Sequence, residues 1–177
     1  MVVDLWECNK NTHKATLPLQ DMEGMLRQTA SKLFHTSLDL KNAYEQIRIK
    51  PEHVERSAVT MPDGIMLSLV IQQGDCNAPA TYQALMNHLF SSYIGCFMDI
   101  YLDYIMIYSD TLGEHVKHVK LVLDILHREK LYLSWSKLHF IAPELKLLGQ
   151  IIYNEGIRMD SEKVDSVMKW KVPMNRD

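Results

Sequence analysis

Long hydrophobic runs are missing from this 177-residue chain: none approaches the length that spans a bilayer. The opening MVVDLWECNK carries Asp4 and Glu7 early and has no signal-peptide apolar core. These absences argue against a membrane-spanning or secreted protein, and an intracellular setting, cytoplasmic or nuclear, is expected. Cysteine is scarce. Cys8, Cys76 and Cys96 are scattered, with no CxxC, which leaves no disulfide framework and favours free thiols in a reducing compartment. Cys8 and Cys96 are assigned no role. An excess of one charge is also lacking, because the formal net charge is only −3. The overall basic balance common in nucleic-acid binders is therefore absent, although a local basic patch can sit beside an acidic site. No internal repeat or low-complexity segment stands out.

What is present suits one folded domain. Hydrophobic residues make up 47% and charged residues 23%, enough for a real core. Residues 2–5 read as a strand. A short helix follows Pro18 and Asp21, at roughly 21–31, with Met22, Met25 and Leu26 on one face. In 34-FHTSLDL-40 the alternation is that of a strand, with Asp39 on the more polar face. Segments 56–61 and 66–71 flank Pro62-Asp63-Gly64 and read as a hairpin. The strongest helix starts at Asn77, a candidate cap, and Pro79. It carries the stripe Tyr82, Leu85, Met86, Leu89, Phe90 and Tyr93. A hairpin over 97–102 and 105–109 comes next. A helix over about 112–130 should turn Val116, Val119, Leu123 and Leu126 inward. One more hairpin is expected at 145–159, turning at Asn154-Glu155-Gly156. A last helix from Asp160 or Ser161 should bury Val164, Val167 and Met168. This order of elements predicts an α+β fold, a βαββαβ sandwich with helices on one face of an antiparallel sheet and the other face open.

The chemistry centres on Asp39 and Asp103. The expected topology makes their strands neighbours. Paired carboxylates on adjacent strands can hold Mg²⁺, which takes hard oxygen ligands and keeps waters for a phosphate substrate. The competing reading is that Asp103 is an ordinary turn residue. His115 and His118 stand i, i+3 on a helix, a spacing a zinc pair can use, but no Cys or further His completes the set nearby. The stretch 127-HREKLYLSWSKLHF-140 is basic with interleaved aromatics. It reads either as a phosphate-contacting surface or as a solvated face.

Five ordered blocks carry a family resemblance: VDLWECNKNT, SLDLKNAYEQIRI, QQGDCNAPATYQALMNHLF, IYLDYIMIYS and LLGQIIYNEGIRMDSEKV. Together they resemble the reverse transcriptase of gypsy-type LTR retrotransposons over essentially the whole chain. The resemblance implies a polymerase palm of ferredoxin-like βαββαβ topology, with partial fingers and the thumb essentially missing. Residues 1–177 would form a single reverse-transcriptase domain. Approximately 1–13 and 47–77 would be the fingers remnant, 14–46 and 78–152 the palm, and 153–177 the start of the connection to the thumb. Asp39 and Asp103 match the catalytic, metal-binding aspartates, and the Leu40 backbone lies beside them. Tyr44 matches the aromatic under the incoming sugar that disfavours a ribose. Gln73 and Gly74 match the loop against the nucleotide, and Asn77, Ala78 and Pro79 the helix start behind it. Lys137 is the candidate triphosphate contact. Leu147, Leu148 and Gly149 match the hairpin that grips the primer. The implied cofactor is Mg²⁺, as two ions. The implied partners are an RNA or DNA template with primer, dNTPs, and the protease, ribonuclease H and integrase segments of a polyprotein.

Two residues break the family pattern. Tyr104 stands where a second hairpin aspartate is expected, which leaves fewer carboxylates for two divalent ions and predicts weakened metal binding. Asp99 cannot replace it, lying about 13 Å back along an extended strand at ~3.3 Å per residue. A tight two-residue turn also often needs φ > 0, which suits Tyr104 badly. Trp6 stands where the family usually has Arg, near the implied template path. The chain's two ends read as those of a piece of something longer. The expectation is an RNA-directed DNA polymerase domain by ancestry, inactive or weak as this chain. The alternatives are a non-catalytic nucleic-acid- or partner-binding palm remnant and, on the same topology, a nucleotide cyclase, which the primer-grip and Gln-Gly blocks argue against.

Overall fold

Two runs of alternating residues build the centre of the molecule. A computed structural model describes residues 4–16, 21–147, 149–153 and 156–170. Strand β1 (Phe34–Asp39) pairs antiparallel with β5 (Tyr104–Ser109), and β5 pairs with β4 (Met98–Tyr101). Because side chains alternate across a strand, Leu38, Ile100, Ile105 and Ile107 share one face. Helices α3 (Ala78–Phe90) and α4 (Leu112–Arg128) cover it with Tyr82, Met86, Phe90, Val122 and Leu126.

The opposite face, expected to be open, is covered. Helix α2 (Met22–Ala30) and β6 (Glu144–Leu147), β7 (Gln150–Tyr153) and β8 (Gly156–Met159) lie over it. Met106 is buried there among Met25, Leu26, Leu145, Leu147 and Ile152. The single hairpin expected at 145–159 is a three-strand meander. Its first turn uses Gly149 at φ 83°, and a Cβ there would meet the Lys163 side chain at 2.6 Å. Its second turn falls where expected, although Asn154 and Glu155 lie outside the described residues.

On the edge of β1 away from β5 lies an irregular run rather than a regular strand. Ser37 and His139 exchange backbone hydrogen bonds at 2.9 and 3.0 Å, and Ser134 N–H donates to the Asp39 carbonyl at 2.9 Å. Ile141 then takes φ 48°, which a β-branched residue rarely adopts, and a regular ladder cannot continue through it.

Other expectations shift locally. Residues 4 and 5 are not in a strand, and residues 2 and 3 lie outside the described set, as does Pro18. Asp4 Oδ1 accepts from Trp6 N–H at 3.0 Å at the start of helix α1 (Trp6–Lys10). The expected finger hairpin is the shorter pair β2 (Ala58–Met61) and β3 (Gly64–Leu67). Asn77 stands at the N-cap of α3, but its side chain reaches back to Ala15 N and the His13 carbonyl instead of capping. On α4, His115 is buried and Val116 exposed, because Thr36 and Ser109 hydroxyls satisfy the imidazole. Helix α5 (Ser161–Met168) exposes Val164, Val167 and Met168, which were expected inside.

Candidate active site

The end of β1 and the tip of the β4–β5 hairpin bring the two aspartates to one place. Asp39 closes β1 opposite Tyr104 and is 3% exposed. Its carboxylate accepts from the Lys137 ammonium at 3.3 and 3.2 Å. Asp103 is the second residue of a two-residue loop, since Tyr101 pairs with Tyr104. Burial pushes the Asp103 carboxyl above its ordinary range, and the Asp39 charge pushes the same way. Its own backbone N–H and Lys137 pull it back.

The strain at this tip falls on Leu102, not on Tyr104. Leu102 has φ 51°, the conformation such a turn needs at its first central position. Gln83, buried on α3, holds it: its Oε1 accepts from Leu102 N–H at 3.1 Å, and its Nε2 donates to the Ile100 carbonyl at 3.3 Å and to Asn87 at 2.9 Å. Sequence reasoning missed Gln83. Its signal was a polar residue wedged beside the apolar stripe of Tyr82 and Met86.

A cavity of about 230 Å³ opens beside the carboxylates, lined by Leu40, Tyr44, Gln73, Asp103 and Lys137 among others. Tyr44 sits on a 3₁₀ turn and meets Tyr82 edge-on, with ring centroids 6.0 Å apart. Burial and the Asp103 charge raise its phenol above the ordinary value. Gly74 does not line this cavity. It takes φ 106°, and its carbonyl accepts from Asn9 of α1 at 2.8 Å. Tyr104 is the cross-strand partner of Asp39, does not line the cavity, and packs partly buried against the Met25–Leu147 cluster. Leu147 belongs to that cluster, Gly149 lies in the β6–β7 turn, and Leu148 lies outside the described residues. Trp6 is 72% exposed on α1, with Lys10 Nζ 4.9 Å from its ring centroid. Asp99 is occupied elsewhere, accepting from the Tyr108 hydroxyl at 3.0 Å. His115 and His118 share the Ser109 hydroxyl, and among the described residues no third His, Cys, Asp or Glu joins them in a metal-holding group.

The family model described as reverse transcriptase (RNA-dependent DNA polymerase) matches residues 1–152. The chain belongs to the reverse transcriptase family. Transposon Tf2-3 and Tf2-7 polyproteins of Schizosaccharomyces pombe are each 34% identical over 176 residues, 99% of this chain. The chain spans only 13% of their length. The foamy viral protease-reverse transcriptase in complex with dsDNA superposes with a TM-score of 0.85 at 25% identity, covering 98% of this chain and 36% of that one. The same viral protein in complex with an RNA/DNA hybrid also gives 0.85, over 97% of this chain and 23% of that one. These likenesses agree with the retrotransposon resemblance and the palm-and-fingers fold read from the sequence.

Reverse transcriptases generally use divalent metal ions. Asp39, Asp103 and the Leu40 backbone suit a hard cation completed by water and phosphate oxygens, and the exposed Glu45 also lines the cavity. Among the described residues no three His, Cys, Asp or Glu side chains converge, and an ammonium already neutralises Asp39.

Proposed function

We propose that this chain is the palm and part of the fingers of a polymerase that adds dNTPs to a primer 3′-end on an RNA or DNA template, and that Tyr104 leaves it impaired. The carrying observation is convergence: Leu40, Tyr44, Gln73, Asp103 and Lys137 line one cavity, and Asp39 joins them through Lys137. In this reading the fingers comprise residues 1–13 and 47–77 and the palm 14–46 and 78–152. Residues 153–177 lead toward the thumb. Tyr44 crowds a ribose 2′-hydroxyl, Gln73 and Gly74 bound the nucleotide, and Lys137 meets the triphosphate. Leu147, Leu148 and Gly149 steady the primer end, and Trp6 weakens the template path by removing a charge. Mg²⁺ held by Asp39, Asp103 and the Leu40 carbonyl would stabilise charge on the phosphoryl oxygens. The three free thiols support an intracellular setting, cytoplasmic or nuclear. Protease, ribonuclease H and integrase segments belong to the same proposal, which the polyprotein relatives support.

A second reading, a non-catalytic palm that binds nucleic acid or a partner, is favoured by one observation: Tyr104, partly buried, packs against an apolar cluster. Primer extension on an RNA template, with Mg²⁺ and then Mn²⁺, separates the two. Activity is expected in Tyr104→Asp at least tenfold above the unaltered chain, since each ~1.4 kcal/mol of lost transition-state stabilisation is a factor of ten. Extension by the unaltered chain at the level of Tyr104→Asp would remove the claim of impairment. Silence in both, with salt-sensitive binding to a primer–template duplex, would favour the second reading.

A further inference from the structure

We infer that this site takes a single divalent cation and that the Lys137 ammonium is its second positive charge, in place of a second metal ion. The inference rests on the polymerase reading and deepens it by specifying the cation content of the site.

Three observations carry it. First, Lys137 Nζ lies 3.2–3.3 Å from both oxygens of Asp39, whose side chain is 4% exposed. Among the described residues no other cation pairs with that carboxylate. Second, the residue in direct register with Asp39 is Tyr104, which packs partly buried against an apolar cluster and offers no anionic ligand. Third, no group of three or more metal-ligating side chains exists among the described residues. Asp39 and Asp103 carry two negative charges, and the exposed Glu45 on the cavity lining adds a third. Two divalent ions would bring four positive ones, whereas one divalent ion with Lys137 brings three. At equal distance, two divalent ions also repel each other about twice as strongly as one divalent ion repels an ammonium. Lys137 is tethered to a chain segment hydrogen-bonded along β1, so its charge arrives positioned: Ser134 N–H donates to the Asp39 carbonyl, and Lys137 N–H to the Ser134 carbonyl. Lys137 is itself 62% exposed along its side chain, so its ammonium stays open to an entering phosphate while it holds the buried Asp39 carboxylate.

The test is Mn²⁺ binding followed by electron paramagnetic resonance of the free ion, with circular dichroism to confirm folding. The unaltered chain, Lys137→Met, and the double variant Tyr104→Asp/Lys137→Met are compared. The unaltered chain should bind no more than one Mn²⁺. Lys137→Met should bind that ion about tenfold more tightly, because a neighbouring positive charge is gone. The double variant should bind two. Two Mn²⁺ on the unaltered chain, or unchanged affinity in Lys137→Met, would overturn the inference while leaving the polymerase reading standing. No binding to any of the three would overturn both, a distinguishable outcome because the double variant restores a carboxylate.

Discussion

Gln83 shows how a single buried amide can support a charged loop tip. Leu102 holds a left-handed conformation that costs an L-residue about 1–2 kcal/mol. The Gln83 carboxamide offsets this by bonding the backbone on both sides of Leu102's peptide neighbourhood, at Leu102 N–H and the Ile100 carbonyl. Replacing it with methionine keeps the volume and removes both backbone bonds together with the one to Asn87. Gln83→Met should therefore lower stability by about 1–3 kcal/mol, the cost of stranding buried polar groups, read from urea denaturation midpoints. Adding Leu102→Gly should recover part of that loss, because glycine accepts φ > 0 freely. If Gln83→Met unfolds at the same urea concentration as the unaltered chain, the amide is not holding the tip. At this scale the sequence was uneven as a guide. Asp39 and Asp103 were legible as a carboxylate pair on neighbouring strands, whereas Tyr44 was singled out only through the family resemblance. Gln83 was not, because its function is to satisfy backbone groups that exist only after β4, β5 and α3 pack. The strain was misplaced onto Tyr104 because which residues occupy a two-residue loop depends on register, and the Tyr101–Tyr104 pair was not visible in the alternation.

Helix α4 is seated by a titratable residue. His115 is fully buried between the hydroxyls of Thr36 at 2.8 Å and Ser109 at 3.0 Å. Burial lowers its pKa to about 4, and His35 and His118 push the same way. His35 and His118 are themselves lowered, again chiefly by burial. In the unfolded chain His115 titrates near 6.5. Between those values the unfolded state holds the extra proton, so its contribution to stability is whole above about pH 6.5 and is lost as pH falls toward 4. The shift corresponds to about 3 kcal/mol. Asp99 and Asp103 oppose this, since their raised carboxyls favour the folded state on acidification. The informative quantity is therefore a difference. Denaturation midpoints between pH 7 and 4 should fall more steeply for the unaltered chain than for His115→Gln, which cannot titrate. Parallel curves would show that His115 does not couple the helix to pH. The helix itself was legible from its period. Its buried edge was read one residue off, because a histidine with two hydroxyl partners competes successfully with Val116 for the inside.

At the scale of the whole molecule, the two sides of the cavity differ in how firmly they are anchored. The β1–β5–β4 sheet is sandwiched, with α3 and α4 on one face and α2 with β6–β7 on the other. Its covering on both faces was the part of the architecture least legible in the sequence, because β6–β8 was read as one hairpin and its packing partner is Met106, buried only by long-range assembly. Among the described residues the β2–β3 hairpin has no such cover: Ile65, Met66 and Leu67 are 73, 54 and 49% exposed. It is tied to the rest through a few contacts, including Ile49 N–H to the Leu69 carbonyl at 3.0 Å, Ile71 N–H to the Ile47 carbonyl at 2.9 Å, and the Ser57 hydroxyl to the Ser68 backbone. Regions with little buried apolar surface open at far lower free energy than a doubly covered sheet. Hydrogen exchange should thus show amides of 58–67 exchanging orders of magnitude faster than those of 104–109, which need near-global unfolding. The Gln72–Gly74 loop follows the hairpin in sequence and carries Gln73 into the cavity, so hairpin opening should loosen the Gln73 side of the cavity while the carboxylate side stays rigid. Ligand occupancy offers the sharper check: a dNTP that contacts Gln73 should slow exchange in 58–74 and leave 104–109 unchanged. Equal protection of the two strand pairs in the free protein would mean that the exposed face of β3 is covered in solution, with self-association through Ile65 and Met66 the physical route.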